Sequence, residues 1–277
     1  MTKKMKRRIG YPIIFILLTV VAGVMLFPFL WMFLGAVKTK AELFATPLRL
    51  LPEVWMWKNY RAVFDTIPFL QYYLNTAKIA VCSTIGQVIT CSLSAYAFAK
   101  LKFKGRDLLF LLYLATLMIP AQVTMIPQYE LMNRIGLLNS HWALIILNCF
   151  SPFGVFLLRQ FFVSIPDSLV EAARIDGAKD WRILAQIMIP LSKSALATLI
   201  TLKFLDSWNE FNNALIFLND KAKYTLQIGI RMFQQENGTE YTLIMAATVM
   251  SLIPIVLLYM FCQKYFIEGI ASAGVKG

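Results

Sequence analysis

A single histidine, His141, stands in 277 residues, so the chain lacks the side chain on which most general acid–base and zinc chemistry is built. No Ser/His/Asp or metal-ligating constellation assembles around it; beside Trp142, where a loop meets an apolar run, it reads as an interfacial anchor. Cysteine is sparse as well. Cys82, Cys91, Cys149 and Cys262 all fall inside apolar stretches at no metal-type spacing, and they read as packing residues. The phosphate-loop pattern G-x-x-x-x-G-K-[ST] is missing, and Gly105, the one glycine in a basic loop, does not supply it. The chain is therefore not expected to hydrolyse ATP or to hold a metal or other cofactor, and an enzyme is disfavoured. Acidic residues are few, 15 against 27 basic, for a net charge of +12. The bases sit in short clusters between apolar runs rather than on one soluble face, which argues against nucleic acid.

What the chain has in excess is apolar sequence. At 58% hydrophobic and mean hydropathy +0.63, it exceeds the roughly 45–50% of soluble domains. About 20 apolar residues cross a bilayer, and six stretches qualify: 11–36, 79–99, 108–129, 141–158, 191–218 and 241–263, the fifth interrupted by polar residues. The expected fold is all-α, a polytopic membrane protein with six transmembrane helices in contact with lipid. The run 11–36 is much longer than the roughly 7–15 residue core of a signal peptide, so an uncleaved first helix is expected. Basic clusters lie at Lys3–Arg8, Lys100–Arg106 and Arg159–Arg182. The positive-inside rule puts these in the cytoplasm, with both termini on that side of the cell membrane. Loop 37–71, outside by this topology, carries Lys38, Lys40, Arg49, Lys58 and Arg61 and counts against it. The organisation expected is a basic tail, 1–10, then one transmembrane domain, 11–277, with a docking loop at 163–190 and a cytoplasmic tail at 264–277.

The most ordered polar interruption is Glu171-Ala172-Ala173-Arg174-Ile175-Asp176-Gly177, running on to Pro190. Pro166-Asp167 opens like a helix start, Gly177 offers a stop, and Lys179-Asp180-Trp181-Arg182 resumes helical spacing, so helix, turn, helix is expected. Ala172 and Ala173 keep one side of the first helix narrow enough for a partner's groove, with Glu171 and Arg174 sharing a neighbouring side. The order Glu-Ala-Ala, three residues, Gly, nine residues, then Ile187, a spacer, Ile189 and Pro190 resembles the cytoplasmic coupling motif of ABC-importer permeases. Only Ile189 departs, standing where that pattern usually has Leu. Asn59-Tyr60, Trp208-Asn209-Glu210-Phe211 and the tail segments Tyr265–Gly269 and Gly274–Gly277 extend the likeness to the maltose-type, carbohydrate-uptake branch over nearly the whole chain.

The resemblance implies a type I importer permease fold and a set of partners: a second, homologous permease, two ATPase subunits that bind the ATP and Mg, and an extracellular or periplasmic sugar-binding protein. It also implies ATPase coupling through Glu171, Ala172, Ala173, Asp176 and Gly177, an ATPase contact by Gly274, Lys276 and Gly277 in the tail, and an outer loop, 219–241, that reaches into the binding protein. Polar flexibility alone would equally account for the tail.

Elsewhere the residues leave alternatives open. Loop 37–71, rich in Pro, Trp and Tyr, suits irregular backbone that either anchors at the lipid interface or docks an external protein. Small residues recur along the second stretch at Ser83, Gly86, Thr90, Ser94 and Ala97, as in a buried bundle helix. Pro120 and Pro127 kink the third, shaping a pathway or only its packing. In the fifth, Lys203, Asp206, Asn209, Glu210 and Asn213 fall on one helical stripe flanked by Trp208. Three charges facing lipid would cost roughly 8–10 kcal/mol, so the stripe faces protein or water. An aromatic plane beside amides and carboxylates suits a sugar, making Asp206, Trp208, Asn209, Glu210 and Asn213 candidates for the substrate path; an ion-paired seam of Lys203 with Asp206 is the other reading. The reading that follows is a permease subunit of an ATP-driven carbohydrate importer. Its rival is a secondary transporter or channel using Lys203, Asp206 and Glu210 as an ion relay.

Overall fold

Long apolar runs become helices, but only some stay straight. The structure is a computed structural model that describes the backbone of residues 3–235 and 238–274, and the side chains of 14–234 and 238–265. Three helices are single: α1 (Lys3–Ala36), α4 (Phe69–Lys100) and α15 (Tyr241–Gly274), each with a segment long and apolar enough to cross a membrane. Three further spans are bent pairs, which brings the total to six if each pair crosses once. In the third, α5 (Arg106–Ala115) and a short 3-10 turn meet α6 (Ala121–Arg134) at 101°. In the fourth, α7 (His141–Leu147) meets α8 (Pro152–Ser164) at 42°. In the fifth, α10 (Asp180–Ile183), a π-helical turn (Leu184–Met188) and α11 (Ile189–Leu191) meet α12 (Lys193–Trp208) at 85°.

Local chemistry accounts for the breaks. Ile119 precedes Pro120 and is extended, the conformation that a following proline imposes, whereas Pro127 sits inside α6 without ending it. The expected kinked helix at 108–129 is thus two helices. Ser151 caps α8 by accepting from Gly154 N–H at 3.0 Å, with Pro152 in the first turn. After α12 come α13 (Asn212–Phe217) and α14 (Leu226–Arg231). The tail expected at 264–277 is helical to Gly274; Lys276 and Gly277 lie outside the described residues.

The chain divides into two compact units. The smaller comprises Met1–Pro68 and Ile230–Leu252. Its part of the loop expected at 37–71, residues 37–68, is less irregular than expected, because it holds α2 (Lys40–Leu43) and α3 (Lys58–Thr66). Thr39 and Glu42 form a capping box on α2. Asn59 Nδ2 donates to Ala36 O and Lys38 O, both at 2.9 Å, and so ties α3 to the end of α1. A two-residue ladder, β1 (Gln234–Gln235) with β2 (Gly238–Thr239), pairs Gln235 with Gly238. The dipeptide Asn237-Gly238 reads from its residue types as a turn, but Asn237 lies outside the described residues.

The larger unit comprises Phe69–Gly229 and Ile253–Gly277. Here α4 packs along α8 and α12; of the small residues expected to permit close approach, Gly86 does so, since a Cβ there would collide with Cys149 Sγ, and Gly154 of α8, outside that set, does the same, its Cβ falling 2.7 Å from Cys91 Sγ. The buried core joins Cys91, Ala95, Leu158, Phe162, Met188 and Leu199.

Candidate functional site

The loop 163–190 folds as the expected helix, turn, helix. Its first helix, α9 (Asp167–Ile175), ends in a Schellman motif: Gly177 N–H donates to Arg174 O at 3.0 Å and Ala178 N–H to Ala173 O at 2.9 Å. Gly177 has φ +79°, which an L side chain adopts only under strain, so glycine there is a backbone requirement. Ala173 and Ala178 are partly buried against the unit's own core, as that motif favours. This corrects the expectation that Ala172 and Ala173 form one narrow outer side: Ala172 faces out and Ala173 faces in. Glu171 and Asp176 are exposed. Arg174 is turned to Asp180 at 3.0 Å rather than paired along its own helix.

Two side chains near the end of α4 hold this hairpin, and no local sequence signal marked either. Tyr96 O–H donates to Asp180 Oδ1 at 2.8 Å, the same oxygen that Arg174 engages. One turn on, Lys100 Nζ donates to Ile165 O at 2.6 Å and Asp167 Oδ1 at 2.5 Å, its own side chain only 3% exposed. The hydrogen bond from Lys100 holds the Asp167 carboxyl below the usual carboxylate range. On the outer face Ile175 is 86% exposed and Trp181 66%, apolar residues that sequence reasoning passed over. Exposed apolar groups beside charges on a tethered hairpin have the composition of a docking face.

The polar residues of the fifth span do not form one stripe. The α12 helix ends at Trp208, because Asn209 caps it: its backbone N–H and its Nδ2 both donate to Leu205 O, at 3.1 and 2.9 Å. Beyond the break Glu210, just ahead of α13 (Asn212–Phe217), accepts from Asn213 N–H at 2.9 Å and Nδ2 at 3.3 Å, a carboxylate at the helix N-terminus. Trp208 is 1% exposed, its ring stacked on Phe204 at 5.5 Å and edge-on to Tyr73 at 5.2 Å, so in this conformation it offers no open face to a sugar. Lys203 donates to Asp206 Oδ2 at 2.8 Å and to Asn148 Oδ1 at 2.5 Å. Asp206 and Asn209 remain exposed, with Glu210 and Asn213 half-buried. An ion relay through Lys203, Asp206 and Glu210 finds no continuous path among the described residues, since Lys203 and Asp206 engage each other while Glu210 is turned to Asn213. Among the described residues no group of three or more His, Cys, Asp or Glu is placed to hold a metal.

With this hairpin and these broken helices in view, residues 87–272, more than half the chain, match the family described as binding-protein-dependent transport system inner membrane component. The chain belongs to that family. The permease is 34% identical to the arabinooligosaccharides transport system permease protein AraQ of Halalkalibacterium halodurans, over 99% of this chain and all of that one. It is 33% identical to the sn-glycerol-3-phosphate transport system permease protein UgpE of Yersinia pestis, over 94% of this chain and 96% of that one. It also superposes on a chain from the crystal structure of a bacterial ABC transporter involved in the import of the acidic polysaccharide alginate. The TM-score is 0.82 at 29% identity, covering 96% of this chain and 99% of that one. The permease is thus an integral membrane transport component with the fold expected of it.

Proposed function

We propose that the permease forms one half of the translocation path of an ATP-driven carbohydrate importer, and that the hairpin 167–183 seats a separate ATPase subunit on the cytoplasmic side. The carrying observation is the hairpin itself: Lys100 and Tyr96 fix its inner side to α4, while Glu171, Ala172, Ile175 and Trp181 face outward. Two such ATPases bind ATP and Mg, and their closure on nucleotide moves the hairpin. Glu171, Ala172, Asp176 and Gly177 act there directly, whereas Ala173 acts by holding the helix on its core. The tail residues Gly274, Lys276 and Gly277 make a second contact with the ATPase pair.

Carbohydrate cargo is supported by the arabinooligosaccharide relative and the alginate transporter; the glycerol-phosphate relative extends the class to phosphorylated polyols. An extracellular or periplasmic binding protein delivers it. Along the path Asp206, Asn209, Glu210 and Asn213 present polar groups, and Trp208 braces them from behind. A second, homologous permease completes the pore. The break at Ile119–Pro120 supports this, for Met118, Ile119 and Gln122 are exposed there. Interrupted backbone at membrane depth is tolerated only against protein or water, never against lipid.

Both termini lie in the cytoplasm in this reading, and three of the misplaced bases in loop 37–71 have local explanations. Lys40 pairs with Glu240 at 2.9 Å, Arg49 pairs with Glu53, and Lys38 is buried over the Trp31 ring while donating to Arg49 O. The test is uptake into vesicles carrying the purified complex. Sugar uptake that requires ATP and the binding protein, and survives a proton uncoupler, is expected. Uptake that proceeds without ATP and collapses with the uncoupler would refute the proposal.

A further inference from the structure

Every span lying wholly in the larger unit is broken except α4, which runs 32 residues without interruption among the described residues. At 1.5 Å per residue it is about 48 Å long, well beyond the hydrocarbon core of roughly 30 Å. Both of its ends are bonded to segments distant in sequence. At the cytoplasmic end Tyr96 and Lys100 hold the hairpin through Asp180, Ile165 and Asp167. At the other end Gln71 Nε2 donates to Ala222 O at 2.9 Å, and Asn75 Nδ2 donates to Ala222 O and Tyr224 O, each at 3.0 Å. Thr76 Oγ1 accepts from Leu226 N–H at 2.8 Å. Three side chains there thus hold segment 222–226, with Tyr72 ring-to-ring against Tyr224 at 6.2 Å.

We infer that α4 is a connecting rod, with Tyr96 and Lys100 as positioning residues at its inner end and Gln71, Asn75 and Thr76 at its outer end, so that displacement of the hairpin moves segment 222–226. The neighbouring spans are poor carriers of an axial push, since bends of 42°, 85° and 101° turn it sideways. An unbroken α-helix resists axial strain because each turn is closed by backbone hydrogen bonds. Resting on the importer reading, this gives the rod two loads: the ATPase seat inside and, outside, the segment nearest the delivered sugar. Coupling would then be reciprocal, with external docking at 222–226 felt at the hairpin.

The test is amide hydrogen exchange on the complex purified from its own membrane, first without nucleotide or sugar and then, for the softened helix, with and without nucleotide. Tyr96→Phe/Lys100→Met should raise exchange in 165–183, which shows the inner clamp released. It should also raise exchange in 222–226 by roughly fivefold, the factor expected when about one hydrogen bond of local stability is lost. Lys179→Ala, exposed on the hairpin and unattached to α4, should leave 222–226 unchanged. A second pair keeps both ends intact: Ile85→Gly/Ile89→Gly softens α4 at two exposed positions, against Ile85→Ala/Ile89→Ala as control. The glycine pair alone should uncouple nucleotide-induced protection at the hairpin from protection at 222–226. Released exchange at 165–183 with none at 222–226, or indistinguishable glycine and alanine pairs, would overturn the rod. Failure of any nucleotide-binding subunit to copurify would instead count against the importer reading, and the exchange result on the clamp variants would stand by itself.

Discussion

Replacing Asp206 should harm this protein more than replacing Lys203, although the two share one ion pair. Lys203 reaches Asp206 at 2.8 Å with side chains 6% and 65% exposed, respectively, and Asn148 Oδ1 is its second acceptor at 2.5 Å. Asp206→Ala strands a buried ammonium with one neutral acceptor, the situation in which breaking a buried pair costs about 3–5 kcal/mol. Lys203→Met keeps most of the apolar stem and leaves behind a carboxylate already open to solvent. Its main loss is the hydrogen bond to Asn148, about 1.5–3 kcal/mol for a charged donor. Polar contacts inside membrane proteins measure smaller, averaging about 0.6 kcal/mol, so a difference of about 1–3 kcal/mol between the variants is the expectation. The double variant Lys203→Met/Asp206→Ala should recover most of the Asp206→Ala loss, because the stranded charge is gone. Thermal unfolding midpoints of the purified complex, with chain abundance in membranes as a check, report the order. A less stable Lys203→Met, or a double variant as poor as the sum of the two, would refute the reasoning.

At the hairpin, Gly177→Ala forces a Cβ into the left-handed region and should weaken the α9 stop by about 1 kcal/mol; uptake should fall while insertion, checked by membrane abundance, stays normal. Glu171→Ala removes a carboxylate with no partner among the described residues, so it should leave the unfolding midpoint unchanged yet lower ATP-dependent uptake; unchanged uptake would count against the docking face. Asp167 has its carboxyl pKa depressed by Lys100, so its contribution to stability is complete above the ordinary Asp range of about 4 and is lost as pH falls through the lower folded value. Acid-induced exchange at the start of α9 should therefore begin below that range, and Lys100→Met should remove the step. Trp208→Ala opens a cavity between Phe204 and Tyr73 and should cost about 3–5 kcal/mol, seen as a lowered unfolding midpoint rather than as a change in which sugar is preferred.

The parts legible in the sequence were those with local causes. Six apolar runs, a proline-started helix at Asp167 and a glycine stop at Gly177 each follow from neighbours a few residues away. Some breaks were legible too, had their signals been weighed: Ser151-Pro152 is a helix start inside the fourth run, and Thr39 with Glu42 is a capping box inside a stretch expected to be irregular. The polar stripe failed for a different reason. Spacing at i, i+3, i+7 means one face only if the helix continues, and Asn209 ends it by bonding Leu205 O twice. Tyr96 and Lys100 could not be found locally at all, since their partners lie 65 to 84 residues away.

The break in the fourth span shows how interrupted helices persist at membrane depth. Freed carbonyls there need donors, and lipid supplies none. Asn148 Nδ2 donates to Leu144 O at 2.8 Å and Cys149 Sγ to Ile145 O at 3.1 Å from within the break. Thr90 and Cys91 of α4 reach Cys149 O and Ser151 O, and Lys203 of α12 fixes Asn148. The donors thus come from both neighbouring helices, and the bend cannot straighten or move without exchanging bonds with each. A hydroxyl and a thiol on α4 that serve another helix's backbone explain why polar residues recur along an otherwise apolar span. They also make α4 the frame against which a broken span is held. Motion of α4 along its axis would shift Thr90 and Cys91 against those carbonyls, so a displacement begun at Lys100 would reach the bend of α8 before it reached Gln71.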